Sequence, residues 1–110
     1  MILITGGIFQ GRLDFAIKNF GSGVYTDITE KIRDLVCSGA DRVSIDNFIE
    51  DYIKKTADSV VITTETGCGI VPSEKKEREY REVLGRANIR LAAAADQVWV
   101  VCCGLGRRIK

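Results

Sequence analysis

Glycines and an arginine follow the first apolar run of this chain at a spacing typical of phosphate binding. The segment GGIFQGRL has its glycines where the motif G-x-x-x-x-G-K-[ST] has them. In that motif, backbone N–H groups and a helix N-terminus bind phosphates, the lysine reaches the terminal phosphates, and the hydroxyl binds magnesium. Arg12 keeps the positive charge at the lysine position, whereas Leu13 offers magnesium no ligand. The candidate phosphate-binding residues are Gly6, Gly7, Ile8, Phe9, Gln10, Gly11, Arg12 and Leu13.

An ordinary glycine-rich turn between a strand and a helix explains the same loop equally well. Two later carboxylates add to the nucleotide-site hypothesis. Asp46 follows the run RVSI, where the acid that orients magnesium would lie, although an aspartate that caps the next helix fits the same position. Glu65 opens the loop TGCG and can accept hydrogen bonds from a base or ribose, although loop geometry alone can require those glycines.

The chain contains no histidine, and this excludes several classes of chemistry from its 110 residues. A Ser-His-Asp triad, a Cys-His dyad, a zinc site with histidine and a covalent histidine intermediate all need that side chain. The four cysteines lack the C-x-x-C spacing of redox and zinc sites, so we interpret them as reduced thiols. Cys102 and Cys103 lie in the apolar run VWVVCCG and are predicted to pack as small hydrophobes. The same structural interpretation is preferred for Cys68.

Length and charge are those of one ordinary domain over residues 1–110. Sixteen Lys and Arg balance fifteen Asp and Glu to a net charge of +1, so nucleic acid is not an expected partner. The first residues lack the features of a signal peptide, and no apolar run is long enough to span a membrane. A cytoplasmic protein without a membrane partner is therefore expected.

Short apolar runs alternate with stretches of helical periodicity, which predicts an α/β fold. Residues 1–5, 42–45, 59–63 and 97–103 are the predicted strands. Helices are predicted over residues 12–19, from Asp27 to Gly39, after Asp46, and over residues 73–95. Right-handed crossovers would join the strands into a parallel sheet of about four to five strands with flanking helices. A ligand site is then expected at the carboxyl ends of the strands.

The last half of the chain carries a detailed family pattern. It reads E-x-G-x-G-I-V-P from Glu65 to Pro72, and the remaining matching positions are Arg78, Tyr80, Arg81, Leu84, Gly85, Asn88, Arg90, Leu91, Ala92, Asp96, Val98, Gly104 and Leu105. Over residues 60–105 the chain resembles the adenosylcobinamide kinase/adenosylcobinamide-phosphate guanylyltransferase family of cobalamin biosynthesis. The opening MILITGG and the segment RVSID look like that family's P-loop and Walker B segments.

The resemblance implies a P-loop NTPase-like sheet, a homo-oligomer, and phosphorylation of a cobinamide hydroxyl by ATP or GTP. It also implies guanylyl transfer through a covalent GMP-histidine. Residues 6–13 would then hold phosphates, Asp46 would lie near Mg²⁺, and Glu65 would contact the nucleotide. Family members are longer, and the segment that bears their histidine falls between Asn19 and Asp27. Guanylyl transfer by that route is excluded here, and the changes at Arg12 and Leu13 predict a kinase activity lower by orders of magnitude. Nucleotide binding through backbone amides is expected to survive.

A non-catalytic structural or regulatory subunit, which pairs with itself or with a full-length relative, is the alternative function. The alanine-rich end LAAAAD of the predicted helix over residues 73–95 would let another element approach closely. Close packing inside the monomer explains the same run.

Overall fold

Five strands form one sheet in the order β2-β3-β1-β4-β5. The computed structural model describes residues 1–21, 23, 25–67 and 69–110. The strands are β1 (Ile2–Thr5), β2 (Tyr25–Asp27), β3 (Val60–Ile62), β4 (Gln97–Cys102) and β5 (Leu105–Arg108). Strands β2, β3, β1 and β4 are parallel to one another, and the edge strand β5 is antiparallel to β4. The α/β fold with a mostly parallel sheet is thus confirmed.

Four helices cover the two faces of this sheet unequally. They are α1 (Arg12–Phe20), α2 (Thr29–Cys37), α3 (Arg42–Lys55) and α4 (Lys75–Ala94). The larger core joins one sheet face to α2, α3 and α4, and the smaller core joins the other face to α1. Successive strand residues alternate between the two, because Leu3 belongs to the larger core and Ile4 to the smaller one.

Helix α4 matches its predicted apolar row closely. Tyr80, Leu84, Ala87 and Leu91 are buried at helical spacing. Ala94, which was predicted to face inward, is exposed. No helix within the described part of the chain is long and apolar enough to cross a membrane.

The predicted strand over residues 42–45 is wrong, because these residues form the first turn of α3. Asp41 begins the helix: its carboxylate accepts a hydrogen bond of 2.8 Å from the backbone N–H of Ser44. Ile45, Ile49 and Tyr52 then follow at helical spacing on the buried face. The helical period that was assigned to the residues after Asp46 in fact starts four residues earlier.

Strand β2 replaces the predicted start of a helix at Asp27. Tyr25 pairs with Val60 and Asp27 with Ile62, so Asp27 is the last residue of a parallel strand. Its carboxylate then accepts a hydrogen bond of 2.8 Å from Thr29 N, which begins α2. The sequence left open whether Val24 and Tyr25 form a strand; Tyr25 does, and Val24 lies outside the described residues, as do Ser22 and Cys68.

The end of the chain forms an unpredicted hairpin. Cys102 pairs with Leu105, so Cys103 and Gly104 make a two-residue turn in which both φ angles are positive, at 52° and 73°. The expectation that Cys102 and Cys103 pack as hydrophobes is wrong, because both are exposed at this turn. The sequence LGRR of β5 has no apolar alternation, and three of its four residues are exposed.

Candidate functional site

The carboxyl ends of the four parallel strands surround a pocket of about 800 Å³. This carboxyl-edge pocket lies where a parallel α/β sheet is expected to bind ligands. The glycine loop after β1 and the loop after β3 provide most of its walls, and β2, α2, α4 and β4 provide the rest. The lining residues discussed below are Gly6, Gln10, Arg12, Asp27, Arg33, Thr64, Glu65, Tyr80 and Cys102.

Close contacts fix the glycine loop at the start of this pocket. A Cβ at Gly6 would overlap the carbonyl oxygen of Val101, and the φ of Gly6 is +151°, so only glycine fits. The carbonyl oxygen of Gly6 accepts a hydrogen bond of 2.9 Å from Glu65 N. The predicted loop therefore lies between the ends of β3 and β4, as a ligand-binding loop requires.

The tip of the glycine loop has an unusual backbone. Phe9 has a φ of 59° and a side chain that is 94% exposed. A positive φ is rare for a bulky residue and marks a conformation that its surroundings impose. Gly11 follows with a φ of 82° and begins α1 without a side-chain cap. The first N–H groups of α1 therefore have no side-chain acceptor, which is the arrangement that suits an anion.

Arg12 lies across the pocket rather than extending into solvent. Its Nη1 donates hydrogen bonds of 2.6 Å to the carbonyl oxygen of Thr63 and to the hydroxyl of Thr64. The Thr64 hydroxyl also accepts a bond of 3.2 Å from Thr29. These partners are uncharged, so the positive charge of Arg12 is held in place without being neutralised by them.

Asp27 is a site residue that the sequence interpretation missed. It ends β2 and lines both the carboxyl-edge pocket and a neighbouring cavity of about 490 Å³ on the α1 side of the sheet. Arg12 lines both as well, whereas Leu13 and Phe9 line only the smaller cavity. The sequence places this aspartate at the start of the helix predicted from Asp27 to Gly39, so it gives no indication of a ligand role.

Asp46 is not brought to the glycine loop. It lies in α3, where its carboxylate pairs with Arg90 at 3.4 Å and with Arg42 at 3.8 Å. The residues around it, Asn47 and Glu50 among them, line a separate surface cavity between α3 and α4. The residues before Asp46 form a helix and not the predicted strand, so Asp46 does not follow a strand at the carboxyl edge of the sheet.

Glu65 lies where it was predicted, in the wall of the carboxyl-edge pocket. Its side chain accepts a hydrogen bond from Gly67 N, which shapes the turn. Arg81 of α4 stabilises the same loop by donating hydrogen bonds of 2.9 Å to the carbonyl oxygens of Gly67 and Ile70. Arg78 does the same for Ser73 at 2.6 Å. Cys68, which we interpret as a structural thiol, lies outside the described residues.

Charges of both signs surround the pocket. Arg33 pairs with Glu77 at 2.8 Å and lies over the ring of Tyr80 at 4.1 Å from its centroid. Burial raises the pKa of the Tyr80 hydroxyl above its ordinary value, so this ring stays neutral. Within the described residues no group of three His, Cys, Asp or Glu side chains is placed to hold a metal ion.

Comparison with known proteins identifies the family. The family model described as "Cobinamide kinase / cobinamide phosphate guanyltransferase" matches residues 24–109. The chain belongs to this family. Two curated relatives are each called "Bifunctional adenosylcobalamin biosynthesis protein CobU". That of Salmonella typhimurium is 53% identical over 51 residues, and that of Escherichia coli is 49% identical over 51 residues. Each match covers 46% of this chain and 28% of the relative.

The cobinamide kinase/guanyltransferase match begins after the glycine loop and α1. Inside the match, residues of the family pattern support the pocket. Asn88 accepts a bond of 2.7 Å from the Thr63 hydroxyl and donates one of 3.1 Å to the Thr64 carbonyl oxygen. Asn88 and Arg81 therefore hold the end of β3 and the loop that follows it.

Proposed function

We propose that this member of the cobinamide kinase/guanyltransferase family binds ATP or GTP in the carboxyl-edge pocket, with cobinamide as a second ligand. The observation that carries the proposal is the position of Arg12. Its guanidinium is fixed between the glycine loop and the end of β3, facing a pocket of about 800 Å³. The volume is that of a small-molecule site.

The parts of the pocket suit different parts of a nucleotide. The glycine loop and the uncapped start of α1 offer backbone N–H groups to phosphates, and Arg12 offers a positive charge. Glu65, which lines the pocket from the loop after β3, can accept hydrogen bonds from a ribose or base.

Magnesium fits this site only as a partner of the phosphates. Mg²⁺ in nucleotide sites is held by one or two carboxylates together with phosphate oxygens and water. Asp27 provides one carboxylate beside Arg12, and Leu13 replaces the hydroxyl that the phosphate-binding motif would supply. We therefore assign the metal-facing role to Asp27 in place of Asp46.

Phosphoryl transfer by these residues is proposed to be weak or absent. The loss of the lysine and of the hydroxyl removes interactions that strengthen as the phosphoryl group moves. The 110 residues contain no histidine for a guanylyl intermediate. Binding without turnover in the cytoplasm is the resulting proposal.

Isothermal titration with ATP, GTP and cobinamide, each with and without Mg²⁺, tests the binding. The expected result is saturable heat with at least one nucleotide. The variant Arg12→Gln should weaken it at least about tenfold, because a charged hydrogen-bond donor is lost. Arg86→Gln is the matched control, since Arg86 pairs with Glu82 away from the pocket. No heat with any nucleotide, or equal losses in the two variants, would contradict the proposal.

A second candidate function, a subunit that self-assembles, is favoured by an apolar row on α1. Leu13 and Ile17 are four residues apart on α1 and are 50% and 51% exposed, and Phe9 in the loop before α1 is 94% exposed. The alanine-rich end of α4 supports this function less well: Ala95 is buried in the monomer, and Lys110 Nζ donates to the carbonyl oxygens of Ala92 and Ala93. Light scattering should show an oligomer that Ile17→Glu dissociates and that Ile89→Glu, on exposed α4 surface, does not. A monomer at all concentrations would remove this function.

A further inference from the structure

Two cysteine thiols lie side by side at the end of β4, and one of them, Cys102, lines the carboxyl-edge pocket. The Sγ atoms of Cys102 and Cys103 are 3.9 Å apart, and both residues are exposed. Successive residues of a regular strand place their side chains on opposite faces. Here the positive φ of Cys103, at 52°, turns its side chain toward that of Cys102.

Cysteine is an unusual choice for this turn. The two-residue hairpin turn with positive φ at both positions favours Asn-Gly or Asp-Gly, and Gly104 is the expected second residue. Cys103 holds the first position in a left-handed conformation that a side chain without a local acceptor adopts unfavourably. A residue kept in such a conformation next to a residue that lines a pocket points to a chemical role.

The thiol-bearing turn is bonded directly to the glycine loop. The N–H of Cys103 donates a hydrogen bond of 2.6 Å to the side-chain oxygen of Gln10. The N–H of Gly104 donates one of 2.8 Å to the Gln10 carbonyl oxygen. A change in the backbone of this turn must therefore act on Gln10.

We propose that Cys102 and Cys103 form a reversible redox site that exchanges with low-molecular-weight disulfides and thereby alters the glycine loop. One protein thiolate attacks a sulfur of the disulfide RSSR and releases the first RS⁻. The second thiolate then attacks the resulting mixed disulfide and releases the second RS⁻. The two cysteines lose two electrons and two protons, the S–S bond of RSSR is reduced, and the products are Cys102–S–S–Cys103 and two RSH.

The contact between the thiols affects the ionisation of one of them. The hydrogen bond to Cys103 raises the pKa of the Cys102 thiol above its ordinary value. Either thiolate can make the first attack, and the other then resolves the mixed disulfide.

Closing the bond must move the turn. The sulfur atoms have to approach from 3.9 Å to about 2.05 Å, which requires new dihedral angles in Cys102 and Cys103. The two hydrogen bonds to Gln10 depend on the present position of the Cys103 and Gly104 N–H groups. We expect them to lengthen in the oxidised form and the glycine loop to open more often.

The test uses a Cys37→Ser/Cys68→Ser chain, reduced and then treated with glutathione disulfide. Intact mass should show the loss of two hydrogen atoms with no bound glutathione. The added variant Cys102→Ser should instead accumulate one glutathione on Cys103, and the added variant Cys103→Ser should accumulate one on Cys102. Retention of glutathione by the unsubstituted pair, or no reaction, would overturn the site.

Hydrogen exchange measures the second half of the proposal without any nucleotide. Amides of residues 6–11 should exchange roughly fivefold faster in the oxidised chain, as expected for the loss of a hydrogen bond. Amides of α3 should not change, and reduction should restore the loop. A Cys102→Ser/Cys103→Ser chain given the same treatment is the control. Equal exchange of residues 6–11 in both redox forms would show that the thiols do not act on the loop.

Discussion

Arg12 and Thr64 are joined by a hydrogen bond of 2.6 Å from the guanidinium to the hydroxyl. The bond connects the start of α1 to the end of β3 across the floor of the carboxyl-edge pocket. Because Thr64 is buried, the pair stabilises the fold as well as positioning a charge. The same side chain thus serves structure in the free protein and phosphate binding in the proposed function.

The variant Thr64→Val should destabilise the protein by about 1–3 kcal/mol, because it leaves hydrogen-bonding groups of Arg12 and Thr29 without their buried acceptor. Urea unfolding measures the difference. Thr5→Val is the matched control: the Thr5 hydroxyl is buried without a hydrogen-bond partner among the described residues. It should be neutral within about 0.5 kcal/mol or stabilising. Equal losses in the two variants would show that the Arg12 bond contributes nothing.

Asp27→Asn should weaken Mg²⁺-dependent nucleotide binding at least about tenfold, while the free energy of unfolding stays within about 0.5 kcal/mol. An asparagine oxygen can still accept the hydrogen bond from Thr29 N that begins α2. Titration calorimetry at fixed Mg²⁺ gives the affinity. Asp46→Asn is the control and should leave the affinity unchanged, because Asp46 lies in α3. The reverse result would return the metal-facing role to Asp46.

Alanine substitutions at two glycines should have opposite effects on stability, one through steric overlap and the other through helix propensity. A Cβ at Gly106 would overlap the ring of Phe15, whereas a Cβ at Gly85 would meet nothing within 4 Å. Gly106→Ala should therefore cost about 1–3 kcal/mol or more. Gly85→Ala, inside α4, should stabilise by about 0.5–1 kcal/mol. Thermal unfolding of both variants measures the contrast, and a loss at Gly85 would reveal a contact that the structure does not have.

Acid should weaken the start of α3. Hydrogen bonds from Ser44 lower the pKa of the Asp41 carboxyl below its ordinary value of 3.8. The stabilisation by a carboxyl with a lowered pKa is complete above the ordinary value and is lost as the pH falls through the lowered one. Urea midpoints measured from pH 5 downward should therefore fall less in Asp41→Asn, whose amide still accepts from Ser44. Parallel pH profiles for the two chains would exclude Asp41 as a source of acid sensitivity.

Local signals account for the parts of the fold that the sequence predicted. The apolar runs of β1, β3 and β4 are buried on both sides, and α4 has a long helical period. Strand β5 could not be predicted, because its pairing depends on a turn and not on apolar side chains. The first turn of α3 was predicted as a strand because RVSI contains β-branched residues. The helical spacing becomes visible only with Ile49 and Tyr52, which follow Ile45 on the buried face.

The candidate site was predicted where it depends on strand order and missed where it depends on tertiary contacts. Glycine spacing predicted the loop from Gly6, and the structure places that loop at the carboxyl-edge pocket. The link from Gln10 to the β4–β5 turn joins residues more than ninety positions apart, and no local pattern indicates it. Asp27 was missed because β2 has only three residues.

One face of the sheet is covered by three helices and the other by α1 alone. Native-state opening follows the number of buried contacts that each segment must break, so α1 should undock at a lower free energy than α2 or α4. When α1 leaves the sheet, Arg12 leaves with it. Docking of α1 and occupancy of the pocket are therefore linked equilibria. A bound phosphate would stabilise the state in which α1 is packed on the sheet.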